Sequence, residues 1–115
     1  MVKISSYIPS RGDVVWTDFK PTRGHEQSGT RPAIVLSEKE YNKQSGLMLA
    51  CPITTQIKEY PFEVPILIKD QPGVILVDSV RSLDWQERKV RKIQTVPQSV
   101  MEEIELYIRK LLLAE

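Results

Sequence analysis

A mainly β chain, folded as a small, partly open β-barrel with a C-terminal amphipathic helix, is what this sequence predicts. Three observations carry the prediction. Short segments rich in Val, Ile and aromatic residues recur through residues 12–95, separated by Gly- and Pro-containing breaks. After Pro97 the period changes, and Val100, Met101, Ile104, Ile108, Leu111 and Leu112 recur at three- and four-residue spacing. The length of 115 residues suits one hydrophobic core, so a single domain over residues 1–115 is expected.

The first strand is expected over residues 12–19, where Val15, Trp16 and Phe19 supply branched and aromatic bulk after the break at Gly12. A loop over residues 20–32 follows, punctuated by Pro21, Gly24, Gly29 and Pro32. Residues 33–37 (AIVLS) are a continuous apolar run, which suits a strand buried on both faces. Residues 38–46 (EKEYNKQSG) suit one or two helical turns ended by Gly46. Residues 47–56 form the longest strand candidate. Pro52 lies within it and cannot donate to a ladder, which marks an edge or a bulge.

Residues 62–68 alternate, with Phe62, Val64, Ile66 and Ile68 on one face and Pro65 on the other, as an edge strand would. Gln71, Pro72 and Gly73 read as a turn. Residues 74–85 read as a strand pair or one bent strand, and residues 89–95 as a last strand, for five to seven in all. Thr95 stands three residues before Gln98, which allows a capping box, and Pro97 suits the first helical turn. Glu102 and Glu103 fall near the positive end of the helix and Arg109 and Lys110 near its negative end, as the macrodipole favours.

The net charge is only +1, so no overall basic excess announces a nucleic-acid partner. The distribution is uneven. Residues 81–92 hold five basic side chains (Arg81, Arg88, Lys89, Arg91, Lys92) against Asp84 and Glu87, a net of +3. Residues 97–115 hold Arg109 and Lys110 against Glu102, Glu103, Glu105 and Glu115, a net of −2. A local basic face is therefore compatible with a nearly neutral protein. One cysteine, Cys51, excludes an internal disulfide, and its apolar surroundings in LMLACPI suit a buried small hydrophobe. The N-terminus lacks the apolar core of a signal peptide, and no apolar run reaches membrane-spanning length. A cytoplasmic location without membrane contact is the expectation.

Most enzyme chemistries find no support in the residues. One His and one Cys make a metal centre improbable, and no cofactor is expected. No glycine-rich phosphate loop precedes a helix, and no G-x-S-x-G turn is present. Residues 23–32, RGHEQSGTRP, stand out because a connecting loop rarely carries Arg, His, Glu, Gln, Thr and Arg together. Arg31 leads into an apolar strand, so its base is rigid, and a guanidinium forks onto phosphate oxygens. Thr54, Thr55 and Gln56 end the long strand, where a hydroxyl could add a donor to an anion held by Arg31. Trp16, Phe19 and Trp85 offer faces for stacking bases. The plainer readings stand beside these: a loop arginine bonding carbonyls, a Glu26–Arg31 surface pair, and aromatic residues in the core.

The residues Gly12-Asp13, Asp18-Phe19, Pro21, Gly24, Glu26-Gln27, Gly29 and Arg31-Pro32, followed by CPITTQIKEYPFEV and VDSVRSLDW, resemble the MazF/PemK/Kid family of toxin endoribonucleases. The resemblance extends over about residues 7–113. It implies an SH3-like barrel, a homodimer, and metal-independent, sequence-specific cleavage of single-stranded RNA, messenger RNA included, that inhibits translation and growth. It also implies a cognate protein antitoxin whose acidic extended segment occupies the RNA groove, so both affinities should fall with salt.

By the same resemblance the catalytic residues are Arg31, Thr54 and Glu26. Arg31 and Thr54 would stabilise the pentavalent phosphate. Glu26, the loop carboxylate, would be the general base. Trp16, Asp18, Phe19, Lys20, His25, Gln27, Thr55, Gln56, Lys58, Ser79 and Arg81 are the implied RNA contacts. His25 departs from the small residue, often serine, common at this position; it titrates near neutrality and could move a proton. Two rivals use the same barrel. One is a CcdB-like gyrase poison, which lacks the E-Q-x-G-x-R-P loop. The other is a non-catalytic SH3-like binding module, in which Arg31 would be dispensable.

Overall fold

The computed structural model describes residues 7–18 and 30–113. Seven strands, β1 (Asp13–Asp18), β2 (Thr30–Val35), β3 (Leu47–Thr54), β4 (Glu63–Ile68), β5 (Gln71–Leu76), β6 (Arg81–Asp84) and β7 (Arg91–Thr95), form a curled antiparallel half-barrel. The strand order is β4-β5-β3-β2-β1-β7, with β6 also paired to β3. Helix α1 (Lys39–Ser45) connects β2 to β3, and helix α2 (Gln98–Leu113) ends the chain.

Both faces of the central strands are covered, which explains the continuous apolar run AIV in β2. Val14, Ile34, Cys51, Ile53, Val64, Ile75 and Val77 pack with Met101 and Ile104 of α2 on one face. Val15, Ala33, Val35, Met48, Ala50 and Leu83 form a second cluster on the other, flanked by Tyr7, Trp85 and Val90. Alternate residues of β1 and β2 therefore supply two cores. Gly46 ends α1 in the left-handed conformation (φ 76°), its N–H bonded to the Asn42 carbonyl, as the QSG ending predicts.

Four expectations need correction. Pro52 lies in the middle of the sheet. It faces Ala33 of β2, while on its other side β3 changes partner, from β6 at Leu47–Ala50 to β5 at Ile53 and Thr54. A residue without an N–H costs no ladder bond at that gap. The turn between β4 and β5 falls at Lys69 and Asp70 (φ 49° and 71°), and Gln71 to Gly73 already belong to β5. Two consecutive positive φ values give the tight hairpin turn whose twist suits the strands. Thr95 ends β7 and caps nothing; α2 begins at Gln98, just after Pro97, whose carbonyl accepts the Val100 N–H at 3.1 Å. Leu111 and Leu112 are exposed, the latter by 76%, so the buried stripe of α2 stops short of its last turn.

Residues 74–85 resolve into β5 and β6 joined by a 3₁₀ turn, Val77–Ser79. The two strands do not pair with each other; both pair with β3, as one strand bent around it would. The edge-strand reading of residues 62–68 holds: β4 ends the strand order, with Val64 and Ile66 inward and Pro65 exposed. Among the described residues no helix is long and apolar enough to cross a membrane.

Candidate active site

Strand register brings the predicted catalytic pair together. In β1 against β2, Thr17 faces Arg31 and Trp16 faces Pro32. In β2 against β3, Ala33 faces Pro52. Extended two residues beyond its last pair, that register directs Arg31 toward Thr54. Both line one cavity of about 400 Å³, with Trp16, Pro32, Thr55 and Ile53. Its far wall is the β4–β5 hairpin, through Ile68, Lys69, Gln71, Pro72 and Gly73, with Ile93 of β7 beside Trp16.

Among the described residues the lining holds two cations, Arg31 and Lys69, and no carboxylate. A cavity of that balance favours an anion. Thr54 sits half-buried at the end of β3, and its Oγ1 accepts the Gln56 N–H at 3.1 Å. A hydroxyl that accepts one bond keeps its own proton for another partner. Arg31 and Thr54 together can therefore present donors to tetrahedral or pentavalent phosphate oxygens.

The hairpin comes close to Thr54 because residue 73 is glycine. A Cβ built there would stand 2.9 Å from the Thr54 carbonyl oxygen, a separation real Cβ atoms do not adopt. Gly73 thus sets how near β5 can lie to Thr54, whose backbone pairs with Val74.

A second cavity, of about 510 Å³, opens beyond Trp16. Its walls include Trp16, Thr17, Asp18, Thr30, Arg88, Lys89 and Arg91. The turn that presents its cations is built locally. Asp84 Oδ1 accepts the Gln86 and Glu87 N–H groups at 3.1 and 2.9 Å. Arg88 Nη1 donates to the Asp18 carbonyl at 2.7 Å and ties the turn to the end of β1. Trp16, 38% exposed, lines both cavities and separates them.

The implied RNA contacts divide accordingly. Trp16 and Thr55 line the first cavity, and Trp16 and Asp18 the second. Gln56 uses its backbone N–H to orient Thr54. Lys58 is exposed, with Nζ 5.6 Å above the Tyr60 ring, and lines neither cavity. Ser79 ends the 3₁₀ turn, and Arg81 faces Ala50, four residues back along β3 from Thr54. Phe19, Lys20, His25, Glu26 and Gln27 lie outside the described residues.

Trp85 is no base platform. Its Nε1 donates to the Asn42 carbonyl at 2.9 Å, and its ring packs against the second core cluster. Cys51 is fully buried as expected, and burial, then the Asp78 carboxylate, pushes its thiol up to about 12. Such a thiol stays protonated and is no nucleophile.

Residue-level reading missed the hairpin wall (Lys69, Gln71, Pro72 and Gly73) and Ile93, because no local signal tells that residues 69–73 fold over residue 54. It placed the basic stretch through Lys92 along the groove but named none of Arg88, Lys89 and Arg91 as a contact.

Comparison with known proteins agrees with this fold. Residues 10–112 match the family model described as PemK-like, MazF-like toxin of type II toxin-antitoxin system. Endoribonuclease toxin MazF of Escherichia coli (strain K12) is 44% identical over 109 residues, covering 95% of this chain and 98% of that protein. Endoribonuclease toxin ChpB of the same organism is 41% identical over 109 residues, 90% of this chain and 91% of that one. The crystal structure of MazF (Form-I) from Deinococcus radiodurans superposes with a TM-score of 0.86 at 44% identity, covering 93% of this chain and 98% of that one. A MazE–MazF crystal structure from the same organism (Form-II) superposes with a TM-score of 0.81 at 39% identity, covering 93% and 97%.

Proposed function

Because this chain belongs to the PemK-like, MazF-like toxins of type II toxin–antitoxin systems, we propose that it is an endoribonuclease. It cuts single-stranded RNA, messenger RNA included, at a short sequence word and without a metal ion, and so inhibits translation and growth. The observation that carries the reading is the convergence of Arg31 and Thr54 on one cavity, whose lining among the described residues also holds the cation Lys69.

Cleavage needs a base for the attacking 2′-hydroxyl, donors for the phosphorane charge, and a proton for the departing 5′-oxygen. Arg31 forks two N–H donors onto the non-bridging oxygens, and Thr54 adds its O–H. The backbone N–H of Gln56, held on Thr54 Oγ1, fixes the direction of that proton. Glu26 is the general base by resemblance. A guanidinium is a poor proton donor, which favours electrostatic stabilisation by Arg31 over proton donation.

The similar chains crystallised as MazE–MazF complexes support a cognate antitoxin for this chain, bound through an acidic segment along the same cationic groove. The homodimer finds support in α2, where Leu106, Leu111, Leu112 and Leu113 are exposed, and in the edge strands β4 and β7, which benefit from cover. The place of action is the cytoplasm, where messenger RNA is translated.

The decisive experiment incubates the protein with a long single-stranded RNA in EDTA, beside Arg31→Ala, and sequences the cut ends. The expected outcome is cutting at one short word, with a ~10²–10³-fold loss in the variant. Uncut RNA in both samples would return weight to a gyrase poison or a non-catalytic module.

A further inference from the structure

The half-barrel has two open edges. β4 ends the strand order on one side and β7 on the other, and no ladder joins them among the described residues. One side chain bridges the gap. Gln94 of β7 donates from Nε2 to the Leu67 carbonyl at 3.0 Å, and its Oε1 accepts the Lys69 N–H at 3.3 Å. Residues 67 and 69 are two apart, so this C=O and this N–H face the same edge of β4. A backbone residue of a parallel neighbour strand would bond the same two groups, and the Gln94 amide stands in for it. The bridged segment is one that needs holding. Lys69 and Asp70 take the two left-handed positions of the turn (φ 49° and 71°), where Asn and Gly are the ordinary choice. A lysine in that conformation persists where its surroundings fix it.

Resting on the ribonuclease reading, we propose that Gln94 is a positioning residue for the reaction. It fixes the backbone of Lys69, so that the ammonium stays at the cavity of Arg31 and Thr54 and meets a phosphate of the bound strand. Lys69 lines that cavity, whereas Gln94 lines a separate, mainly apolar groove with Pro65, Leu67, Val96 and Val100. Gln94 therefore acts through Lys69. Its neighbour in β7, Ile93, does line the cavity, so the bridge ties the hairpin wall to the wall beside Trp16. Without the bridge the tip of the hairpin is released while its base is held: Ile66 stays paired with Gly73, and Thr54 with Val74. Loss of the bridge should weaken the hold on RNA and spare the chemical step.

The test compares wild type, Gln94→Met, Lys69→Asn and the double variant. Gln94→Met keeps the length of the side chain and removes its amide, and Asn suits the left-handed backbone at residue 69, so all should fold. Gln94→Ala repeats the comparison without the apolar tip. The Lys69 amide proton should exchange more slowly in wild type than in Gln94→Met. On an RNA carrying the cut word, Gln94→Met should raise KM roughly three- to fivefold, the worth of one exposed ion pair, with kcat near wild type. Its RNA-binding slope against salt should fall by about one, as in Lys69→Asn, although no charge has been removed. The double variant should be no worse than Lys69→Asn, because the two residues act as one. Equal exchange at Lys69 in wild type and Gln94→Met overturns the bridge. A lower urea midpoint with unchanged KM and salt slope makes Gln94 merely structural and overturns the positioning role, as do additive losses in the double variant. In each of these the ribonuclease stands. No cutting by wild type would remove the ribonuclease reading itself, and the role of Gln94 with it.

Discussion

Arg31 of β2 and Thr54 of β3 line the same cavity although they stand 23 positions apart in the chain. The threonine hydroxyl already accepts the Gln56 N–H, so what it offers a substrate is its proton. Thr54→Val keeps the branched shape and removes that donor. We expect kcat to fall by ~10²-fold or more, as when an oxyanion donor is lost. Thr54→Ser should recover most of the rate. Because Thr54 is half-buried and its partner N–H is exposed to water, the urea midpoint should move little. A valine variant that cuts RNA at the wild-type rate would remove Thr54 from catalysis.

Gly73 controls the gap between β5 and Thr54. Alanine there would place a Cβ 2.9 Å from a backbone oxygen, which cannot swing aside as a side-chain tip can. Strand or hairpin must shift, at a cost of ~1–3 kcal/mol. The same shift displaces Thr54 relative to Arg31, and misplacement of order one ångström can cost ~10²-fold in rate. Gly73→Ala should therefore lose rate at saturating RNA while remaining folded, with a lowered urea midpoint. Full activity in that variant would show that the hairpin distance is unimportant.

How far the residues alone revealed this depends on the range of the signal. Alternation placed β4, and the three- and four-residue period placed α2, because both are local consequences of burial on one face. Pro52 misled because the cost of proline depends on which neighbour strand lies beside it. At residue 52 that neighbour changes from β6 to β5, which no local pattern displays. Thr95 looked like a cap, yet pairing with Asp13 keeps it in β7. Arg31 and Thr54 were legible through resemblance to a family, since composition alone left Arg31 as either an anion site or an ordinary loop arginine. Lys69 and Gly73 were not legible, since their role comes from a hairpin folding over a strand fifteen or more positions earlier.

The acid–base assignment within residues 23–32 is open to a pH test. An ordinary glutamate titrates near ~4.3 and an ordinary histidine near ~6.5. With Glu26 as base, the rate should rise with pH through the carboxylate range, and Glu26→Gln should lower kcat by ~10²–10⁴-fold. His25→Ser should leave the position of that limb unchanged. If the wild-type limb lies near neutrality and vanishes in His25→Ser, the histidine is the base and Glu26 is not.

Stability in alkali should report on Cys51 and Tyr7. Burial, with the Asp78 charge second, raises the Cys51 thiol from its ordinary 9.0 to about 12. Burial, the 2.6 Å hydrogen bond to Asp13 and the Asp13 charge raise the Tyr7 phenol as well. Both groups hold their protons in the folded chain after the unfolded chain has lost them. Their contribution is therefore complete below about pH 9 and is lost as pH rises toward 12. Each proton contributes up to ~1.4 kcal/mol per pH unit. Cys51→Ala should be less stable than wild type near pH 8, because it vacates core volume, yet lose less between about pH 9 and 11. Tyr7→Phe should flatten the curve from about pH 10 upward. Urea midpoints measured across that range decide the matter: parallel curves for wild type and Cys51→Ala would mean that the thiol titrates alike in the folded and unfolded chains.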